Sequence, residues 1–387
     1  MKKIITFLFL LSPIFLLAQD SIKLQQLTIT EAVKVSKKEN KPIFYMCFAA
    51  WCAHCNKMKS EVFKDTAVAA FYNKTFICAG LDMEKGEGME VKREVALRNY
   101  PTYLFMDSTG TVLYRTGGEF KPNDLIAEGK KALHKEHQLP YLKKQFEDDS
   151  TNPNKCLNYI MALRKGDIDP SEPAKKYLNT QTEQQLISVP NWRIIANGIN
   201  RIDSREFQFV INHQREFAAI TSIQRIDKKF TYVANELLQP LVAAKDTDNY
   251  FRLRPLVINM KNVKVDSIVF MLDIALAESV KRWDIYKTIT SGHGLKFCGN
   301  DYFTLNHMAN VYLQNMSDTN SLRTAIEWMN QSLKLKEEYD SYLIAAKLFF
   351  KLSDKKSALA MASKAKELAI IKKWNAKDAE LLIEQWQ

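Results

Sequence analysis

Two cysteines three positions apart, in Cys52-Ala53-His54-Cys55, follow the apolar run Pro42-Ile43-Phe44-Tyr45-Met46-Cys47-Phe48-Ala49-Ala50-Trp51 without a break. An apolar run of this length reads as a buried strand, and a strand that ends on such a pair carries both thiols to one edge of a sheet. If a helix starts at Ala53, Cys52 lies at its N-terminus, where unpaired N–H groups and the positive end of the dipole stabilise a thiolate. Cys52 is then the expected nucleophile. Cys55, one turn further in, is shielded and set to attack a mixed disulfide formed at Cys52, which makes it the resolving thiol. A protonated His54 favours the Cys52 thiolate and makes the disulfide a stronger oxidant.

The string Phe48-Ala49-Ala50-Trp51-Cys52-Ala53-His54-Cys55-Asn56-Lys57-Met58 resembles the strand–Trp–Cys-x-x-Cys–helix signature of the thioredoxin superfamily. Met58-Lys59-Ser60-Glu61-Val62-Phe63 is similar to the branch found in extracytoplasmic members, and Tyr100-Pro101-Thr102-Tyr103-Leu104-Phe105-Met106-Asp107 to the segment that carries the cis-proline facing the dithiol. Gly117-Gly118, after a strand over Thr111 to Arg115, completes the pattern. The resemblance covers Thr28 to Leu133 and implies an α/β thioredoxin-like domain, a central mixed sheet flanked by helices. It further implies Cys52 and Cys55 as the catalytic pair, Trp51 and His54 as residues that tune and cover the site, and Tyr100 with Pro101 as the substrate-binding element. No cofactor is implied beyond the redox-active disulfide Cys52–Cys55. One departure stands out. The family buries a carboxylate beneath the resolving cysteine, and the aligned residue here is Met46, which takes no proton; either water, Glu61 or another acid serves Cys55, or its deprotonation is slow.

Met1-Lys2-Lys3, the apolar run Ile4 to Leu17 and the small residue Ala18 predict a secretory signal peptide over residues 1–18. The run falls short of the roughly 20 residues that a spanning helix needs, which disfavours an N-terminal anchor. No other run reaches that length, so the mature chain is expected to be soluble and periplasmic or secreted, where disulfides persist.

A chain of 387 residues exceeds one such domain. Lys130 to Gln145 reads as a charged helical stretch, and the polar run Asp148 to Asn154 sets the expected boundary, giving a thioredoxin-like domain over 19–147 and an all-helical domain over 148–387. Apolar residues there recur at helical steps, as in Leu157, Ile160, Met161 and Leu163, and again in Phe207, Phe209, Val210 and Phe217. Segments starting at Ala325 and Ala358 echo each other near the tetratricopeptide period, so residues 303–370 read either as two such hairpins, with Ala309, Ala325, Ala346 and Ala358 at close helix contacts, or as an irregular bundle.

Of the other cysteines, Cys47 and Cys78 fall inside apolar runs and read as core residues. Cys156 and Cys298 form a disulfide or remain buried thiols; spacing leaves both open. The net charge of +11 is scattered among acids rather than gathered in a stripe, which argues against nucleic acid. Glycine-rich phosphate loops, His-Glu-x-x-His pairs and nucleophile-elbow serines are absent. His134 and His137 share a helical stretch without a third ligand, and a metal on Cys52, His54 and Cys55 would lack the usual second Cys or His pair. No metal is expected. The sequence therefore predicts an exported thiol–disulfide oxidoreductase acting on exported proteins with thiols or disulfides and recharged by an unidentified redox partner. The alternative is an adaptor whose helical part binds proteins while the thioredoxin-like part is a scaffold.

Overall fold

The structure, a computed structural model, describes residues 21–387. The expected signal peptide lies outside the described residues. Among them, no helix is long and apolar enough to cross a membrane. The described residues divide into two compact units, one ending at Val210 and the other Ile211–Gln387.

The first unit opens with α1 (Ile29–Glu39), whose start is fixed by a capping box: Thr28 Oγ1 accepts the Glu31 N–H at 3.1 Å, and Glu31 Oε2 accepts the Thr28 N–H at 2.8 Å. There follow β1 (Ile43–Phe48), α2 (Ala53–Ser60), α3 (Thr66–Thr75), β2 (Ile77–Asp82), α4 (Gly88–Glu94), β3 (Thr102–Met106), β4 (Val112–Gly117) and α5 (Pro122–Leu133). The four strands form one mixed sheet in the order β2-β1-β3-β4, with β2 parallel to β1 and the other pairs antiparallel. All six residues of β1 are buried, as a central strand covered on both faces requires. Its side chains alternate. Phe44, Met46 and Phe48 face the cluster that holds Cys55, Met58, Tyr103 and Phe105, whereas Ile43, Tyr45 and Cys47 face Ala32, Leu104 and Met106.

Two glycines are required by this geometry. Gly80 pairs with Met46 so closely that a Cβ would lie 2.4 Å from the Met46 carbonyl oxygen. Gly118 has φ +94°, a conformation open to glycine, and its N–H donates to the Pro101 carbonyl at 2.9 Å.

The charged stretch Lys130 to Gln145 is not one helix. α5 stops at Leu133, a short 3₁₀ turn spans Lys135–His137, and α6 (Leu139–Asp148) restarts with Pro140 in its first turn, where a proline's missing N–H costs nothing. His134 and His137 therefore do not share a helix. After the polar run comes α7 (Pro153–Lys165), in which Leu157, Ile160 and Leu163 are buried but Met161 is exposed, one step off their stripe. The first unit keeps helices as far as Val210, so the sheet and the helices just beyond the polar run lie within one unit. Lys165 of α7 pairs with Glu128 of α5 at 2.6 Å, and Asp167 accepts a bond from Asn99 at 2.8 Å.

The second unit is helical throughout its described elements. The helices Tyr302–Asn315, Thr319–Leu335, Tyr339–Lys351 and Lys355–Lys372 pack in succession, and Ala309, Ala325, Ala346 and Ala358 are all fully buried where they meet. Cys156 and Cys298 are both buried free thiols.

Candidate active site

The sequence from Ala49 to Ser60 turns strand β1 into helix α2 across one tight bend, in which the Cys52 N–H donates to the Ala49 carbonyl at 3.1 Å. Cys52 is the N-cap of α2: its Sγ accepts the Cys55 N–H at 3.2 Å, as an N-cap oxygen would in an ordinary helix. The Cys55 thiol donates to Cys52 Sγ, with the sulfurs 2.6 Å apart. Both cysteines are free. Capping draws the Cys52 sulfur inward over the helix, so the residue keeps only 5% of its surface in water, while Cys55 keeps none and Trp51 beside it is 74% exposed. Burial, and next its hydrogen bond to Cys52, push the Cys55 thiol well above the ordinary range.

Tyr100–Pro101 is a cis peptide. The Tyr100 ring meets Trp51 edge-on at 6.0 Å, and its hydroxyl donates to Glu84 at 2.6 Å, while Lys92 bonds the same carboxylate at 2.7 Å. The aromatic rim of the site is thereby fixed by residues from three segments. His54 pairs with a carboxylate that follows β4. Its Nδ1 lies 2.9 Å from Glu119 Oε2, and Lys57 bonds the other oxygen of the same carboxylate. Hydrogen bonds from Lys57 and then His54 hold the Glu119 carboxyl below the usual range.

Met46, where a carboxylate would lie, is fully buried between Gly80 of β2 and Tyr103 of β3. Glu61 does not replace it. It is exposed at the C-terminal cap of α2, six residues past Cys55 and so on another face of the helix. Among the described residues no group of three His, Cys, Asp or Glu side chains is disposed to hold a metal ion.

A thioredoxin-like domain model matches residues 29–133. Residues 29–133 form a thioredoxin-like domain. The chain is 31% identical over 74 residues to protein disulfide-isomerase A5 of Bos taurus, which covers 19% of the chain and 14% of that protein. It is 38% identical over 80 residues to spermatogenesis-associated protein 20 of Mus musculus, covering 21% of the chain and 9% of that protein. The chain thus spans less than a sixth of either curated relative. Among solved structures it is similar to a Bacteroides thetaiotaomicron protein proposed to be a disulphide-isomerase, at 37% identity, TM-score 0.28, 30% of this chain and 95% of that one. It is also similar to DsbH oxidoreductase, at 23% identity, TM-score 0.26, 33% of this chain and 93% of that one.

Three residues near the thiols went unremarked in the sequence. Glu119 directly follows the glycine pair and was discoverable only as the nearest acid to the expected bend. Lys59 lies four residues after Cys55, on the same face of α2, a relation that helix spacing does carry. It is half-buried with its Nζ 2.8 Å from the Phe48 ring centre. Tyr103, two residues after Pro101, is fully buried and its hydroxyl has no hydrogen-bond partner among the described residues.

Proposed function

We infer that the protein is a thiol–disulfide oxidoreductase acting on protein substrates through Cys52 and Cys55. The observation that supports this most is the pairing of two free thiols at the start of α2, the outer one capping the helix and the inner one closed off from water. The likeness to a protein disulfide-isomerase adds to it over the matched residues. In the reductive direction, Cys52 thiolate attacks one sulfur of a substrate disulfide, the S–S bond breaks, and the departing thiolate takes a proton from water. Cys55 thiolate then attacks Cys52 Sγ, expelling the second substrate sulfur and leaving the Cys52–Cys55 disulfide; oxidation runs the same steps backwards. Trp51 and Tyr100 form an aromatic rim, and the bend at Pro101 offers an extended substrate chain a surface to align on. The charge pattern at 1–18 fits export, which would make proteins of a periplasmic or extracellular compartment the substrates, a separate redox protein the recharging partner, and the helical region a source of partner contacts.

Trapping tests the assignment. In the full chain, Cys55→Ala should accumulate mixed disulfides with substrate proteins that disappear on reduction, and Cys52→Ala should accumulate none. Equal yields from the two variants would refute the roles given to the two sulfurs.

A further inference from the structure

We propose that the Lys59 ammonium and the Tyr103 hydroxyl together stabilise the charge on Cys55 Sγ during resolution, doing here what a buried carboxylate does not. The proposal rests on the thiol-exchange reading above. When Cys55 resolves a mixed disulfide, its thiol proton passes to water and the thiolate attacks Cys52 Sγ. The bond from Cys52 to the substrate sulfur then breaks, and the substrate thiolate leaves with the electron pair and is protonated by water. A negative charge must therefore form on a sulfur that has no contact with solvent. Met46 can neither accept the proton nor offset the charge.

Two groups from different elements border the cluster that holds that sulfur. Lys59 stands one helical turn beyond Cys55 on the same face of α2, and its ammonium is drawn back over the Phe48 ring at the end of β1 instead of extending into water. Among the described residues it has no ion-pair partner within salt-bridge distance; this half-buried cation is held by the Phe48 ring, with Asp82 acting on it from the end of β2. From the other side, β3 brings Tyr103 opposite Met46 into the core cluster shared by Cys52 and Cys55. Its orphan hydroxyl is a cost to folding with no structural return. An O–H donor in a dry site is suited to a thiolate that exists only in passing. The charges facing the pair are limited: Cys52 and Lys59 from α2, Tyr103 from β3, Asp82 at the end of β2 acting on Lys59, and Glu119 after β4 acting on Tyr103. Burial raises Tyr103 above the ordinary tyrosine range, which keeps it a donor, and burial lowers Lys59.

The test uses the full reduced chain and an excess of the aromatic disulfide 5,5′-dithiobis(2-nitrobenzoate), with thionitrobenzoate release followed in a stopped-flow instrument. The first equivalent reports attack by Cys52 and the second reports resolution by Cys55. Lys59→Met, which keeps the apolar stem, should slow the second release by about tenfold and raise the midpoint of its pH profile by about one unit, with a smaller effect on the first. Lys59→Arg should restore both. Tyr103→Phe should slow the second release by about threefold or more without lowering the unfolding midpoint, since only an unpartnered hydroxyl is removed. The proposal is overturned if Lys59→Met and Tyr103→Phe leave the second release unchanged, or slow both releases equally, while Cys55→Ala yields only the first equivalent. If Cys55→Ala still yields two, the thiol-exchange reading fails instead.

Discussion

The imidazole of His54 is shared with a carboxylate, and this changes what the residue between the cysteines can do. A positive charge beside a thiolate stabilises the reduced form and strengthens the disulfide as an oxidant. Glu119, 2.9 Å from His54 and also bonded by Lys57, sets a negative charge on the far side of both. Replacing Glu119 by Gln should therefore make the disulfide more oxidising, raising the reduction potential by about 10–30 mV at low salt and by less as salt screens the exposed pair. A glutathione equilibrium series reads this directly, and a potential that stays constant or falls would remove His54 from the tuning of the site. The same series separates a working pair, expected between about −270 and −120 mV, from a structural disulfide below about −300 mV.

At the scale of elements, the close passage of β2 against β1 underlies the site, because β1 ends where the dithiol begins. Gly80 permits that passage: a Cβ there would press on the Met46 carbonyl at 2.4 Å, a backbone atom that a side-chain rotation cannot clear. Gly80→Ala should destabilise the native state by about 1–3 kcal/mol in chemical denaturation, and a loss below about 0.5 kcal/mol would show that the two strands separate freely. Much of this architecture was legible beforehand. The apolar run ending in Trp51, the helix from Ala53 and the bend at Pro101 are local patterns, and local patterns survive in one dimension. The break between α5 and α6 was missed because charged residues on both sides mask it, although Pro140 marks the restart. Glu119 and Tyr103 were missed for another reason. Helix spacing carries the place of Lys59 relative to Cys55, whereas Glu119 and Tyr103 come from a loop and a strand that only the closed fold brings to the site.

Across the whole molecule, buried thiols set an alkaline limit. Burial pushes Cys47, Cys78 and Cys156 up to about 12 and Cys298 to about 11. In the unfolded chain these thiols ionise near about 8.5. Below that pH both states hold the protons and the stabilisation is intact; above it the unfolded state releases protons that the native state keeps, so stability falls as pH rises towards 11–12. Urea midpoints should drop steadily above about pH 9, and Cys47→Ala should flatten the slope by up to about 1.4 kcal/mol per pH unit. A midpoint constant to pH 11 would mean that the four thiols are open to water.

Glu128 joins α5 to what comes after it. Its carboxylate is nearly closed off, and it is bonded by Tyr114 at 2.6 Å, Lys131 at 2.9 Å and Lys165 at 2.6 Å. Burial alone would raise this carboxyl, yet the hydrogen bonds, Lys165 foremost, hold it below the ordinary value. Lys165 lies 32 positions past the last residue of the matched family segment. A fragment cut at the edge of that segment would inherit an anion whose foremost counter-ion had been thrown away, so trimming this protein to its recognisable part would sicken the very portion one hoped to isolate.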